Sequence, residues 1–247
     1  MRILVTRPEP DAQAQGETLA ARGHEAVLAP LLIVEPVQSV ALELEGAQAL
    51  IVTSRNALRA LADHAEREQA LQLPLFAVGE ASAVKATKLG FTDVTAGTNT
   101  AQGLVPLIVA ALDPNSGKLV HLSGETLVFD LKAALEAQGF EVKRKILYRA
   151  LPARELPEEA LTRLRQDRLD AVIFMSPRTA RTFADLLRGH GAVTQGTRLV
   201  CYCLSQAVAE VLAPFGFAVR VAASPREEDV LALLDADSAP REAQAQD

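Results

Sequence analysis

The sequence predicts an α/β protein with largely parallel sheets covered by helices, and three observations predict it. Short apolar, β-branched runs alternate with helical patterns along the chain. A small hydroxyl residue or a glycine stands where most of these runs give way to a helix. One such stretch, ALIVTSRNALRAL around Ser54, returns 122 positions later as AVIFMSPRTARTF around Ser176.

The elements follow in order. Ile3 to Thr6 is the first apolar run, and helical spacing takes over from Ala12 to Arg22. Ala49 to Thr53 leads into Asn56 to His64, and Leu75 to Val78 into Ala81 to Leu89. Leu119 to Leu122 precedes a helix over Leu127 to Gln138; Ala171 to Met175 precedes Thr179 to Leu187; Leu199 to Tyr202 precedes Gln206 to Ala213. The runs have strand length and β-branched content, while the intervening segments carry apolar residues at helical spacing.

Two extended segments, LLIVEP and ILYRALP, follow strands with no helix of their own and end at a proline. They read either as connectors between domains or as ordinary sheet strands. The pattern alone favours the second, with a cut near residue 116 into two sequential domains. The tail from 235 to 247, DADSAPREAQAQD, reads as disordered.

The repeat extends beyond the Ser54 and Ser176 corners. At an offset of 116, Leu19 overlays Leu135, Gly23 overlays Gly139, Glu25 overlays Glu141 and Pro36 overlays Pro152. LFAVGEASAVKATKLGF likewise shadows LVCYCLSQAVAEVLAPFGF, with Ala83 over Ala207. The chain therefore reads as a duplicated α/β unit, each half running β-α-β, extended segment, then β-α-β-α.

Composition narrows the function classes. At 247 residues, 49% hydrophobic and 23% charged, the chain has the make-up of a soluble globular protein. The opening MRILVTRPEP is too short in apolar residues for a signal peptide, and no run reaches membrane-spanning length, so a cytoplasmic location is expected with no membrane contact. A net charge of −6 without a basic stripe argues against nucleic acid, though not against an anionic ligand, because helix N-termini bind anions. Cys201 and Cys203 lie two apart on one strand, poorly placed for a mutual disulfide, and read as small core residues.

The corner residues are Thr6, Ser54, Gly79, Ser123 with Gly124, Ser176 and Ser205. In parallel sheets they line the carboxyl edge, where α/β proteins bind ligands. Their everyday role is N-capping, and the two roles are compatible. Arg7, Arg55 and Arg178 follow corners, within reach of a bound carboxylate or else simply on solvated helix starts. VGEASA and LSGET lack the spacing of dinucleotide and phosphate-loop fingerprints. His24, His64, His121 and His190 are scattered without ligand spacing, so neither a metal site nor a catalytic triad is expected. Of the two tyrosines, Tyr202 alternates with the cysteines and reads as packing, whereas Tyr148 lies on the second extended segment.

In order along the chain, LVTRPEP, the PLLIVEP crossover, VTSRNA, AVGEASA, LSGE, ILYRA and FMSPRTA resemble the uroporphyrinogen-III synthase family over nearly the whole length. The resemblance implies two similar flavodoxin-like or Rossmann-like lobes with parallel sheets, joined by a two-stranded antiparallel connector at 33–37 and 146–151. One lobe is then discontinuous, 1–32 plus 152–247, and the other is 38–145, which replaces the sequential cut. The cleft between the lobes is the implied active site.

The implied reaction is cyclisation of linear hydroxymethylbilane: loss of its hydroxyl, attack through a spiro intermediate that inverts ring D, and closure to uroporphyrinogen III. Left alone, the bilane closes to the symmetric isomer I, so the task is control of geometry. No cofactor or metal is implied. Tyr148 matches the family's connector tyrosine and is the implied proton donor to the departing hydroxyl. Thr6, Arg7, Ser54, Arg55 and Asn56 are implied substrate anchors, as are Gly79, Ser82, Ser123 and Gly124. Ser176, Arg178, Thr179 and Ser205 complete that set, acting largely through neighbouring backbone N–H groups. A monomer in transient contact with hydroxymethylbilane synthase is the implied setting.

One departure is that CLSQA stands where many members have Gly-Pro-Thr-Thr-Ala, placing Cys203 where close backbone approach is usual. The rival readings are a non-enzymatic two-lobed protein that binds a small anion, and a cytosolic regulator. The second of these lacks any visible DNA-binding segment.

Overall fold

The computed structural model describes residues 1 to 189 and 198 to 238. His190 and the part of the tail from 239 onward lie outside the described residues. The chain opens with β1 (Arg2–Val5), α1 (Asp11–Ala21) and β2 (Glu25–Leu28), then continues into β3 (Leu32–Pro36). Next come β4 (Ala47–Val52), α2 (Arg55–Ala62), α3 (Arg67–Ala70), β5 (Leu75–Ala77), α4 (Glu80–Leu89), β6 (Val94–Ala96) and α5 (Ala101–Ala111). β7 (Lys118–Gly124), α6 (Leu131–Glu136) and the long β8 (Val142–Pro152) follow. The last third holds α7 (Glu158–Arg165), β9 (Ala171–Phe174), α8 (Pro177–Gly189), β10 (Val200–Cys203), α9 (Gln206–Leu212), β11 (Ala218–Val221) and α10 (Glu227–Ser238).

One sheet has the order β2-β1-β9-β10-β11, every neighbour parallel. The other runs β3-β8-β7-β4-β5-β6, parallel from β8 to β6. On the internal repeat, β7 and β8 answer to β1 and β2, while β4, β5 and β6 answer to β9, β10 and β11. The two sheets thus share one spatial order, reached by different routes through the chain. β3 pairs antiparallel to β8: Val37 N donates to Leu147 O at 2.8 Å and Ala153 N to Leu31 O at 3.0 Å, so one strand ascends as the other descends.

The chain divides into two compact units, residues up to Ile33 with those from Leu151 onward, and Val34–Ala150. In the first, α7, α8 and α9 cover one sheet face around Leu4, Val172 and Phe174, while α1 and α10 cover the other around Ile3, Ile173 and Tyr202. In the second, α2, α3 and α4 pack on Leu50, Val52 and Val120, and α5 and α6 on Ile51, Phe76 and Leu119. Buried on both faces, the central strands are continuous apolar runs, as parallel strands require. On α2, Ala57, Leu58 and Leu61 are the buried positions. Burying each leucine contributes roughly 1.5–3 kcal/mol, enough to hold so short a helix.

Two expectations change, and one extended segment proves to be part of a longer strand. The helix expected from Leu127 begins only at Leu131, because Asp130 is its N-cap and its carboxylate accepts from Ala133 N at 3.0 Å. Asp235 to Ser238, read as the start of a disordered tail, form the end of α10, where Asp235 meets Arg22 and Asp237 meets Tyr202. The segment ILYRALP is the second part of an 11-residue strand that already pairs with β7.

Candidate active site

Chain connections leave β1 toward β2 and β9 toward β10, so they diverge between two adjacent strands. A divergence of this kind opens a crevice at the carboxyl edge of a parallel sheet. β7 and β4 make the same divergence in the second unit. The first rim therefore gathers Thr6 and Arg7 with Ser176, Arg178 and Thr179, and Ser205 stands one strand further out. The second gathers Ser123 and Gly124 with Ser54, Arg55 and Asn56, and Gly79 and Ser82 stand one strand out.

On the first rim most side chains are committed to the protein. Thr6 is buried and its hydroxyl donates to Ile173 O at 2.6 Å, tying β1 to β9 across the divergence. Arg7 Nη1 lies 2.5 Å from Glu227 Oε2, and Nη2 lies 3.7 Å from Asp11. Gln15 donates to the other Glu227 oxygen at 2.9 Å. Ser176 Oγ accepts from Thr179 N at 3.1 Å and meets the Thr179 hydroxyl at 2.5 Å, an N-cap on α8. Arg178 also has polar or electrostatic partners. Ser205 caps α9 by position only, with no side-chain bond to the helix.

The second rim is built differently. Ser54 Oγ accepts from Asn56 N at 3.1 Å, and Asn56 in turn accepts from Arg59. Arg55 is engaged as well. Gly79 is the N-cap of α4, and Asn99 crowds it: a Cβ there would lie 1.9 Å from Asn99 Oδ1. Asn99 holds φ 68°, the left-handed region that asparagine tolerates better than most residues. Ser82, one turn along, is buried.

At the end of β7, Arg144 reaches across from β8. Its Nε donates to the buried Ser123 Oγ at 2.9 Å, and Nη2 donates to Gly124 O at 2.7 Å and Glu125 O at 2.6 Å. His121, opposite Arg144 in the strand register, is fully buried, with Nε2 3.1 Å from Thr53 Oγ1 and Nδ1 unpartnered. Burial first, and the Arg144 charge second, push the imidazole down to about 4, outweighing Asp130, so the ring is neutral at pH 7.

Tyr148 lies beside this corner. The strand register passes from Ser123–Ile146 to Gly124–Tyr148, so β8 takes an extra residue and the tyrosine is re-aimed. Glu125 N donates to Tyr148 O at 3.0 Å, and the ring covers Gly124. Among the described residues the Tyr148 hydroxyl makes no hydrogen bond. Elsewhere in this unit a cavity of about 580 Å³ is lined by Thr100, Gln102, Pro106, Phe129 and Gln138 among others. None of its lining residues is ionisable, which disfavours it for a polyanion.

The structure thus brings the expected corner residues to two carboxyl edges. His121 and Arg144 were missed as site residues: one histidine among four scattered ones, and one cation in KRK, carry no distinguishing spacing. Among the described residues no group of three His, Cys, Asp or Glu side chains could hold a metal, and no helix is long and apolar enough to cross a membrane.

A family model described as uroporphyrinogen-III synthase HemD matches residues 13–232. The chain belongs to the uroporphyrinogen-III synthase family. A search of curated proteins finds no match. The crystal structure of uroporphyrinogen-III synthetase from Helicobacter pylori 26695 is 19% identical, with 95% of this chain and 98% of that one covered and a TM-score of 0.65. A mutant uroporphyrinogen III synthase from the extremely thermophilic bacterium Thermus thermophilus is 20% identical, with coverage of 96% and 97% and a TM-score of 0.57. At such identities the likeness is one of fold. It covers both parallel-sheet units.

Proposed function

We propose that this chain converts hydroxymethylbilane to uroporphyrinogen III, with loss of water and inversion of ring D. The observation that carries the reading is the family match across residues 13–232, which takes in every rim residue except Thr6 and Arg7. The make-up of the rims supports it: capped helix starts and glycine corners offer oriented backbone donors, and no triad is assembled among the described residues. A reaction whose wrong outcome occurs without help needs one substrate conformer held in place, and orientation supplies that.

In this reading Tyr148 hands a proton to the departing hydroxyl, which leaves as water, and its unbonded phenol is suited to the role. The substrate's carboxylates meet the corners at Ser54, Arg55, Asn56, Gly79 and Ser82, and at Ser123 and Gly124. On the other rim Ser176, Arg178, Thr179 and Ser205 take the same part. Thr6 and Arg7 contribute through the backbone of their corner, their side chains being committed to Ile173 and Glu227. We further propose lobes of 1–32 plus 152–247 and 38–145, and a cytoplasmic monomer that receives its substrate from hydroxymethylbilane synthase by transient contact. The test supplies hydroxymethylbilane made in place by that synthase, then oxidises and separates the isomers. Isomer III in excess is expected; isomer I alone, at the spontaneous rate, overturns the reading.

A further inference from the structure

Four cations lie along β8, and three of them face a carboxylate. Lys143 Nζ is 2.9 Å from Glu141, Lys145 pairs with Glu43, and Arg149 Nε is 3.0 Å from Glu125. Arg144 is different. Its three hydrogen bonds all go to neutral acceptors, the Ser123 hydroxyl and the carbonyls of Gly124 and Glu125. Among the described residues no carboxylate pairs with it and its Nη1 has no partner.

A partly buried guanidinium without a counter-ion is costly to keep unless something compensates it. Here the three acceptors compensate in part, and they also fix the group in one orientation at the end of β7, beside the divergence of β7 and β4. That rigidity lowers the entropic cost of accepting a ligand oxygen on the remaining Nη1 donors. Among the described residues the nearby carboxylates are engaged elsewhere, and Asp130 caps α6 by accepting from Ala133 N. The Glu125 carboxylate is held by Arg149, and His121 beside Arg144 is uncharged.

We propose that Arg144 is a carboxylate-binding residue of the second unit, taking one acidic side chain of the substrate on Nη1. The proposal rests on the synthase reading, whose substrate is a polycarboxylate, and adds one charged anchor to a rim of otherwise mostly backbone and hydroxyl donors.

The experiment uses the full chain, with uroporphyrin III as a non-reacting polycarboxylate probe followed by its fluorescence, and KM for hydroxymethylbilane measured in parallel. Arg144→Met should weaken probe binding and raise KM about tenfold, the loss expected of one charge-assisted hydrogen bond. It should also flatten the salt dependence of binding. Arg144→Lys keeps the charge but cannot bridge all three acceptors, and should recover most of both effects.

Met-variant binding equal to wild type overturns the proposal. So does a folded Lys variant as weak as the Met variant, since that outcome assigns Arg144 to holding the corner alone. Should Arg144→Met fail to unfold cooperatively, the Lys variant decides by its salt dependence. These readouts are separate from isomer analysis, so formation of isomer I alone would reject the synthase reading without deciding the role of Arg144.

Discussion

The Tyr148 ring lies so close to Gly124 that a Cβ on the glycine would come within 2.5 Å of Tyr148 Cζ and 2.7 Å of its hydroxyl oxygen. Close approach, rather than backbone conformation, is what requires glycine here, because Gly124 is absent from the positive-φ glycines. The corner is fixed from both sides, by Glu125 N donating to Tyr148 O and by Arg144 on the carbonyls of Gly124 and Glu125. The aim of the proposed proton donor is therefore set by a residue that has no side chain to obstruct it.

Gly124→Ala should turn the tyrosine away and slow formation of isomer III, at a stability cost of about 1–3 kcal/mol for the overpacked contact. Urea unfolding beside the isomer assay measures both. In a Tyr148→Ala background the stability cost should vanish, because the clashing ring is gone. A Gly124→Ala protein with wild-type turnover and stability would show that the ring is not held as described.

Tyr148→Phe tests the phenol itself. The hydroxyl makes no bond to the described residues, so folding should be almost untouched, while kcat should fall roughly a hundredfold, the low end of what a positioned acid contributes. Unchanged kcat removes the phenol from the reaction. If the oxygen acts only through its position over Gly124, adding Gly124→Ala to this variant should slow it little further.

Local pattern made the strands and the capping serines legible, because each depends on neighbours a few residues away, and self-similarity at offsets of 116 and 122 made the duplication legible. Ser54 and Ser176 end apolar runs and cap the helices that follow, as their spacing implied. Side-chain partners were not legible, because they come from far along the chain. Arg7 sits at a corner as expected, yet Glu227, 220 positions on, occupies it. Gly124 looked like one more corner glycine, and its reason lies at Tyr148. Asp235 and Asp237 resembled tail residues until α10 brought them to Arg22, Tyr202 and Arg220.

His121 makes stability depend on pH in a defined window. Its pKa lies at about 4 in the native protein against 6.5 for the free side chain. Between these values the unfolded chain binds a proton that the native chain does not, so the stabilising difference is complete above about pH 6.5 and is lost as the pH falls toward 4. The loss attributable to this residue is roughly 3 kcal/mol. His121→Gln should flatten the slope of unfolding free energy between pH 6.5 and 4.5, whatever its effect at pH 7. An unchanged slope assigns the acid sensitivity to other groups.

Tyr202 anchors the last helix of the first unit. Its ring is fully buried on β10, and its hydroxyl donates to Asp237 Oδ2 at 2.8 Å, where Arg220 Nε also donates at 3.2 Å. Burial, with the Asp237 charge, pushes the phenol pKa up, so the donor is retained at any working pH. Tyr202→Phe should cost about 1 kcal/mol, toward the lower end for a bond to a charged acceptor because the carboxylate is partly exposed. Asp237→Asn should cost more, since it also weakens the pair with Arg220. A double-mutant cycle by urea unfolding should give a positive coupling energy between 202 and 237. Zero coupling would mean that α10 is held without help from this bond, by Val230, Leu231 and Leu234 and by its contacts to Arg7 and Arg22.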